Sequence, residues 1–263
     1  MKNSPVRLQE SSWSQLQDIQ FVATDMDGTL THQGRFTPKL LQSLTTLAAA
    51  GVVTYIVTGR SAGWVQSVSH YLPVAGAIAE NGGVWVATGT GHLTSLIDLP
   101  ALDQHRHQLA EMFVQLQTWW PDLRPSVDNR FRLTDWTFDI GDLLPMDCQN
   151  IAAACQRAGW GFTYSTVQCH IRPMQQDKGV GLAHLLKTQF ATLKRTQVVT
   201  VGDSLNDEEL FDADQFPLSV GVANVQHYCD RLQHLPRFIT HGAEVEGFYE
   251  LVQAIASAKA TAA

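Results

Sequence analysis

The sequence has only four cysteines, and none of them forms a C-x-x-C pair. A chain of 263 residues can bury a core without disulfide bonds, so we expect free thiols in a reducing compartment. Apolar runs of membrane-spanning length are also missing, and residues 1–20 lack the apolar segment of a signal peptide. The sequence therefore predicts a cytoplasmic protein that does not span a membrane.

Dense positive charge is missing as well. The chain has 18 lysines and arginines against 25 aspartates and glutamates, a formal net charge of −7, with no long basic run. A nucleic-acid partner is therefore not expected, because such partners need a basic surface that follows their phosphates. An acidic protein can still bind an acidic substrate if a metal ion or locally placed cations offset the repulsion.

The two ends of the chain alternate between strand and helix patterns. Apolar, β-branched runs separated by amphipathic helices predict a parallel sheet with right-handed crossovers. The predicted strands in these two parts lie at 19–24, 52–57, 75–79, 197–201 and 218–222. The segments between them have helical periodicity, as in the helix that begins at Thr37-Pro38 and ends at Gly51.

The middle of the chain lacks this alternation. Residues 84–87 and 93–97 flank a glycine-rich turn and predict an antiparallel hairpin, and a long helix follows. Residues 131–140 alternate as a strand would, and 161–172 suggest two short extended pieces. We therefore predict an α/β protein with a Rossmann-like parallel sheet core, residues 1–83 and 173–263, and an inserted α+β cap, residues 84–172.

The first chemical signal is the D-x-D-G pattern of Asp25, Asp27 and Gly28, directly after the first strand. Ligands of open α/β sheets bind at the carboxyl ends of the strands, so both carboxylates are well placed for a site. Two neighbouring acids repel each other unless a cation lies between them or one holds a proton. The simpler alternative for this pattern alone is a solvated turn.

The second signal, Gly202 to Asp207, also follows an apolar strand and adds Asp203 and Asp207. If both strands are central in one sheet, four acids converge on one volume. Such a cluster implies a hard divalent cation with oxygen ligands, and Mg²⁺ is the first choice because histidine and cysteine are missing from it.

Two further signals would suit a phosphate group. Thr58-Gly59-Arg60 follows the second strand, and Asp177-Lys178-Gly179 begins a predicted helix. A hydroxyl, free amides at a helix start and an ammonium group are the donors that phosphate oxygens accept from.

The four motifs, D-M-D-G-T, T-G-R, D-K-G and G-D-S-L-N-D, resemble in this order those of the haloacid dehalogenase (HAD) superfamily of phosphatases. The insertion after the third predicted strand and the segment His170-Ile171-Arg172-Pro173 resemble those of the Cof-type branch. This branch has large α/β caps, as in proteins like sucrose phosphatase and mannosyl-3-phosphoglycerate phosphatase. The resemblance covers essentially the whole chain and implies the HAD fold.

The resemblance also implies a role for each motif residue. By this resemblance, Asp25 is the nucleophile, Asp27 is the general acid and base, and the metal ligands are Asp25, Asp27 and Asp203. Thr58 and Lys178 hold the phosphate, Asn206 contacts it, and Asp207 is an outer partner of the metal or of Lys178. Gly59, Arg60 and Asn81 lie along the route to the cap. Together these roles imply a Mg²⁺-dependent phosphomonoester hydrolase with an aspartyl-phosphate intermediate. The expected substrate is a small phosphorylated sugar or related metabolite, and the expected state is a monomer or small homo-oligomer.

Other functions remain open at this point. A sugar phosphomutase of the same superfamily would share the first half-reaction, and a non-catalytic binding protein would retain only the fold. A GDSL esterase would place its Gly-Asp-Ser-Leu block early, whereas here it is late, and Asp230 and His234 have the wrong spacing for its second motif. A D-x-D glycosyltransferase would leave Lys178 and Asp203 unexplained.

The middle region contains side chains that invite a role in binding. Its aromatic residues are expected mainly to form the core of the cap, although sugars also stack on such rings. The charged residues Arg130, Arg132 and Asp135 are candidates to contact a substrate, but the sequence does not show whether they face the cleft.

Overall fold

A nine-stranded sheet forms the centre of the larger part of the protein, as seen in a computed structural model that describes residues 4–165 and 168–262. Its strand order is β1-β12-β11-β10-β2-β3-β4-β5-β6, parallel from β1 through β4. The strands are β1 Val6–Arg7, β2 Phe21–Thr24, β3 Val53–Val57, β4 Gly76–Ala79, β5 Val84–Ala87, β6 Leu93–Ser95, β10 Val198–Gly202, β11 Ser219–Gly221 and β12 Phe238–Ile239.

Helices cover both faces of this sheet. The described helices are α1 Pro38–Ala49, α2 Ala62–Tyr71, α3 Leu102–Gln117, α4 Pro145–Arg157, α5 Lys178–Gln189 and α6 Glu244–Ala262. Helices α1, α2 and α6 contribute to one apolar cluster with the sheet, and α5 contributes to the cluster on the opposite face. The predicted α/β core with a central parallel sheet is therefore confirmed.

The hairpin β5–β6 belongs to this large sheet. Strand β5 pairs antiparallel with β4, and β6 pairs with β5. Residues 84–95 were predicted to belong to the cap, but their hydrogen bonds extend the core sheet. We therefore propose to place the boundary between core and cap after this hairpin, with residues 1–97 and 174–263 as the core and residues 98–173 as the cap. Of these, residues 1–3, 166, 167 and 263 lie outside the part of the chain that the structure describes.

The second lobe is built on a three-stranded antiparallel sheet of order β7-β9-β8. Its strands are β7 Trp136–Asp139, β8 Trp160–Tyr164 and β9 Gln168–Pro173. Helices α3 and α4 pack on this sheet around Phe113, Phe138 and Ile151. The strand predicted at 131–140 is wrong in its first half, because Asn129 hydrogen-bonds to the backbone of Ser126 and Thr137 and holds 127–131 in a 3₁₀ turn.

The aromatic side chains of this lobe mostly serve its core, as expected. Phe138 is fully buried, Trp120, Trp136 and Trp160 are partly buried against the cluster, and Trp119 is largely exposed. Within the described residues, no helix has the length and apolarity needed to cross a bilayer.

Candidate active site

Three motifs meet because their strands are neighbours. Strand β2 lies between β10 and β3, and all three run in the same direction. Asp25, Thr58 and Asp203 each follow the last residue of one of these strands, so they emerge at the same edge. The amide of Asp25 donates to the carbonyl of Val201 at 2.8 Å, which continues the ladder up to the acid itself.

Lys178 reaches this edge from the start of α5. The helix begins there because the Asp177 carboxylate accepts from the amide of Val180 at 2.7 Å and caps the first turn. The Lys178 ammonium donates to Asp25 Oδ1 at 2.6 Å and to Asp207 Oδ1 at 2.7 Å, and its side chain is fully buried. Burial lowers the pKa of Lys178, but Asp207 and Asp25 outweigh it and raise the pKa above its ordinary value.

Asp207 holds two parts of the site together. One of its oxygens accepts from Lys178, and Oδ2 accepts from the amides of Asp203 and Ser204 at 2.9 and 3.1 Å. Asp207 therefore fixes the turn after β10 and the ammonium of Lys178 at the same time, which agrees with the predicted proximity of these residues.

Asp25, Asp203 and Asp207 form a buried acidic cluster, with one ligand oxygen of each within 4.8 Å of the others. Burial and the charge of Asp207, opposed by the attraction of Lys178, together raise the pKa of Asp25 to about 7. Burial also raises the pKa of Asp203, and the charges of Asp25 and Asp207 add to the effect. Three carboxylates and one ammonium leave two excess negative charges when all are ionised, so the oxygen-only cluster fits a hard divalent cation.

Asp27 lies beside this cluster but outside it. Both of its carboxylate oxygens accept from Arg60, from Nε and Nη2, each at 2.8 Å. The Arg60 guanidinium also lies over the ring of Trp64, 5.3 Å from its centroid. Of the four predicted acids, three therefore come together, and the fourth is held in a bidentate pair with Arg60.

Gly28 makes the close approach of Asp203 possible. It has a φ of +86°, which favours glycine, and a Cβ at this position would lie 2.5 Å from Asp203 Oδ2. Asn224 completes the arrangement, because its Nδ2 donates to Asp203 Oδ2 at 2.8 Å and to the carbonyl of Gly28 at 3.0 Å. Asn224 was not among the predicted site residues, because it lies in a short 3₁₀ helix with no motif around it.

A cavity of about 320 Å³ opens at this edge. Of the sequence-predicted residues, it is lined by Asp25, Asp27, Thr58, Gly59, Arg60, Asp203 and Asn206. Lys178, Asp207 and Asn81 do not line it. Lys178 contacts Asp25 and Asp207 contacts Asp203 from the buried side, and the side chain of Asn81 lies next to Gly59. The Thr58 hydroxyl accepts from the amide of Arg60 at 3.2 Å, and Asn206 Oδ1 accepts from the hydroxyl of Ser204 at 2.6 Å.

The opposite side of the cavity comes from the cap. Gln168 and His170 of β9 line it, and the imidazole of His170 lies 2.8 Å from Asp135. Arg132 is fully buried and donates to Asp135 and to the carbonyl of Gly59, so the cap is hydrogen-bonded to the core beside Thr58. Arg130 is exposed and stacks on Phe131 instead.

Comparison with known proteins adds family information to this geometry. Residues 22–118 match the family model of haloacid dehalogenase-like hydrolases, and residues 162–255 match that of sucrose-6F-phosphate phosphohydrolase. The first range contains Asp25, Asp27 and Thr58, and the second contains Lys178 and Asp203.

Curated relatives match over most of their length. The phosphoglycolate phosphatase of Methanothrix thermoacetophila is 26% identical over 89% of this chain and 96% of its own. That of Pyrobaculum neutrophilum is 27% identical over 92% of this chain and 97% of its own.

Solved structures share the fold. A Thermoplasma acidophilum protein superposes with a TM-score of 0.73 at 20% identity, over 90% of this chain and 98% of its own. The sucrose-phosphatase of Synechocystis, solved with sucrose and phosphate, superposes with a TM-score of 0.65 at 16% identity, over 90% of this chain and 97% of its own. Because the two family models and the curated phosphatases match this chain, and its motifs meet at one edge of the sheet, the chain is a phosphatase of the haloacid dehalogenase superfamily.

Proposed function

We propose that this phosphatase is a Mg²⁺-dependent phosphomonoester hydrolase that transfers the phosphoryl group to Asp25 and then to water. The observation that carries the proposal is the position of Asp25, which lies on the cavity wall and accepts from the buried ammonium of Lys178. A carboxylate is a ready nucleophile when it is ionised, and Lys178 favours the ionised form.

The acidic cluster supports the choice of metal. The carboxylates of Asp25 and Asp203 would hold Mg²⁺, and any ligand from Asp27 would be its main-chain carbonyl, because Arg60 engages both carboxylate oxygens. When bound, the ion supplies positive charge against the phosphate dianion and the acids around it. Asp207 and Asn224 orient Asp203 through its amide and its Oδ2, respectively.

Asp27 is the group to which we assign proton transfer. It lies on the cavity wall, and its side chain is about 39% exposed, so it can meet a leaving oxygen. To donate a proton it must first carry one, which requires release of at least one hydrogen bond from Arg60. After giving this proton to the leaving oxygen, the Asp27 carboxylate would accept a proton from the water molecule that hydrolyses the aspartyl phosphate.

The substrate we propose is a small phosphorylated metabolite, either a sugar phosphate or a phosphorylated hydroxy acid. The cavity of about 320 Å³ limits the substrate to a compact molecule. The related phosphoglycolate phosphatases and the sucrose-phosphatase structure with sucrose and phosphate are consistent with both classes.

A phosphate-release screen tests this function. The purified protein would be assayed with Mg²⁺ on p-nitrophenyl phosphate, sugar phosphates, phosphoglycolate and nucleotides. Release of phosphate from at least one small phosphomonoester is the expected result. Turnover of a sugar phosphate to its positional isomer, without net phosphate release and with activation by a bisphosphorylated sugar, would instead identify a mutase.

A further inference from the structure

His170 is a buried histidine on the wall of the cavity, and it has no part in the reaction proposed for the four motifs. It lies in β9 of the cap, is only 3% exposed, and shares the cavity with Asp25 and Arg60. Its Nδ1 lies 2.8 Å from Oδ2 of Asp135, which is completely buried. An imidazole held in this way has one nitrogen left for a ligand.

Asp135 is ionised in this environment. Nη1 of Arg132 donates to both of its oxygens, at 2.9 and 3.0 Å, and the arginine is also completely buried. Burial alone would raise the pKa of Asp135, but the charge of Arg132 and the hydrogen bonds from His170 and Arg132 together outweigh it and hold the pKa below its ordinary value. A carboxylate without a proton can only accept hydrogen bonds.

The ionised carboxylate fixes the tautomer of His170. At 2.8 Å from a hydrogen-bond acceptor, Nδ1 must carry the hydrogen. The amide nitrogen of Asn81 lies farther from Nδ1, at 3.3 Å, and a hydrogen bond from it to a bare Nδ1 would leave two acceptors facing each other at 2.8 Å.

His170 is therefore neutral, with a bare Nε2. Burial of the imidazole, helped by the charge of Arg132, lowers the pKa of His170 against the hydrogen bond and charge of Asp135 and against the charge of Asp128, which also pairs with Arg132. Within the described part of the chain, Nε2 has no hydrogen-bond partner, whereas Nδ1 has two neighbours. Nε2 can thus accept a hydrogen bond but cannot donate one.

We propose that Nε2 of His170 accepts a hydrogen bond from a hydroxyl group on the carbon skeleton of the substrate, so that the site selects phosphorylated sugars and polyols. The inference rests on the proposed function, in which Asp25 takes the phosphate end in the same cavity. A carboxylate at the far end of a substrate gains nothing from Nε2, because both groups are acceptors. Asp135 and Arg132 are positioning residues that keep Nε2 bare.

Two phosphomonoesters with the same carbon skeleton test the inference. Glycerol 3-phosphate carries two free hydroxyl groups, and n-propyl phosphate carries none. We expect the unmodified protein with Mg²⁺ to prefer glycerol 3-phosphate about tenfold in kcat/KM, the order of one neutral hydrogen bond, mainly through KM. His170→Ala should reduce this ratio to nearly one.

The matched control is His105→Ala. His105 is another buried cap histidine, 2% exposed, whose Nε2 lies 2.9 Å from the carbonyl of Thr134, and it does not line the cavity. This variant should keep the preference for glycerol 3-phosphate. If His170→Ala keeps the preference for glycerol 3-phosphate, or if both variants lose it equally, the role assigned to His170 is overturned.

Two further measurements keep the result unambiguous. Hydrolysis of p-nitrophenyl phosphate by the unmodified protein tests the proposed function separately. If the protein hydrolyses this ester but does not prefer glycerol 3-phosphate to n-propyl phosphate, only the role of His170 is overturned. If His170→Ala does not fold, ¹⁵N NMR of the unmodified protein decides. A neutral imidazole of His170 with its proton on Nδ1 supports the proposal, and a proton on Nε2 contradicts it.

Discussion

The Nζ atom of Lys178 lies 2.6 Å from Oδ1 of Asp25, although the two residues are 153 positions apart in the sequence. The same nitrogen lies 2.7 Å from Asp207, so one ammonium joins helix α5 to the end of strand β2 and to the 3₁₀ helix that follows β10. It is also the only positive charge in direct contact with the acidic cluster among the described residues. The stability of the site and its chemistry therefore depend on the same group.

Replacement of this lysine should destabilise the fold. Lys178→Met leaves Asp25 and Asp207 buried without a cation, and loss of one partner of a buried ion pair costs about 3–5 kcal/mol. Urea unfolding without metal measures the loss, and added Mg²⁺ should recover part of it. Lys187→Met, which removes an exposed lysine from the same helix, is the control and should change little. Equal stability of the two variants would contradict the role given to Lys178.

Asp25→Asn should remove turnover and keep the fold. The amide has the shape of the carboxylate but is not a nucleophile, and loss of a nucleophile typically lowers kcat by roughly 10⁴-fold or more. Because Lys178 and the carboxylate of Asp203 remain, phosphate should still bind at a Mg²⁺ concentration high enough to offset the lost carboxylate ligand, as calorimetry can show. Asp103→Asn, at an exposed position of α3, is the control. A rate near that of this control would refute the nucleophile.

Metal binding should depend on Asp203. Mg²⁺ at about 100 times its Kd should stabilise the unmodified protein by about 2.7 kcal/mol, seen as a higher Tm, and EDTA should abolish activity. Asp203→Asn should lose most of this stabilisation, because it removes one of the two carboxylates proposed to hold the ion. Asp230→Asn, at an exposed position, should behave like the parent. A Tm shift that survives in Asp203→Asn would place the metal elsewhere.

Asp135 should make the stability of the cap depend on acid pH. Burial opposes ionisation, but Arg132 and the hydrogen bond from His170 together lower the pKa below the ordinary value of 3.8. For a lowered pKa, the stabilisation is present above pH 3.8 and is lost as the pH falls through the folded-state value. Asp135→Asn should cost about 3–5 kcal/mol at pH 7, because Arg132 loses a buried partner.

The difference between parent and Asp135→Asn should then shrink below about pH 4, where the parent also loses its carboxylate. Chemical unfolding at several pH values measures it, with the exposed Asp142→Asn as control. A difference that stays constant down to pH 2 would contradict the ion pair.

The core and its motifs were predictable from sequence because their signals are local. An apolar β-branched run that stops at an acidic, glycine-containing turn specifies a buried strand and the side chains at its end, as at Asp25 and Asp203. Parallel pairing then brings those ends together without further information. The start of α5 could also be predicted from the sequence, because Asp177 caps the helix and Lys178 is its first residue.

Other features depend on contacts that no local pattern encodes. The hairpin of β5 and β6 was recognised, but nothing in it specifies that β5 pairs with β4. Asn224 reaches Asp203 across 21 positions, and His170 meets Asp135 across 35. The bidentate pair of Asp27 and Arg60 could not be foreseen either, because side-chain direction at the ends of two strands depends on the folded turns.

The most direct test of the account is to identify the phosphorylated residue during turnover. Rapid acid quench with a good substrate and Mg²⁺, followed by peptide mapping, should place an acid-stable, base-labile acyl phosphate on the peptide containing Asp25, and none in Asp25→Asn. Steady hydrolysis with no phosphorylated aspartate under conditions where hydrolysis of the acyl phosphate limits turnover, or a phosphoryl group on Ser204 instead, would contradict the proposed chemistry.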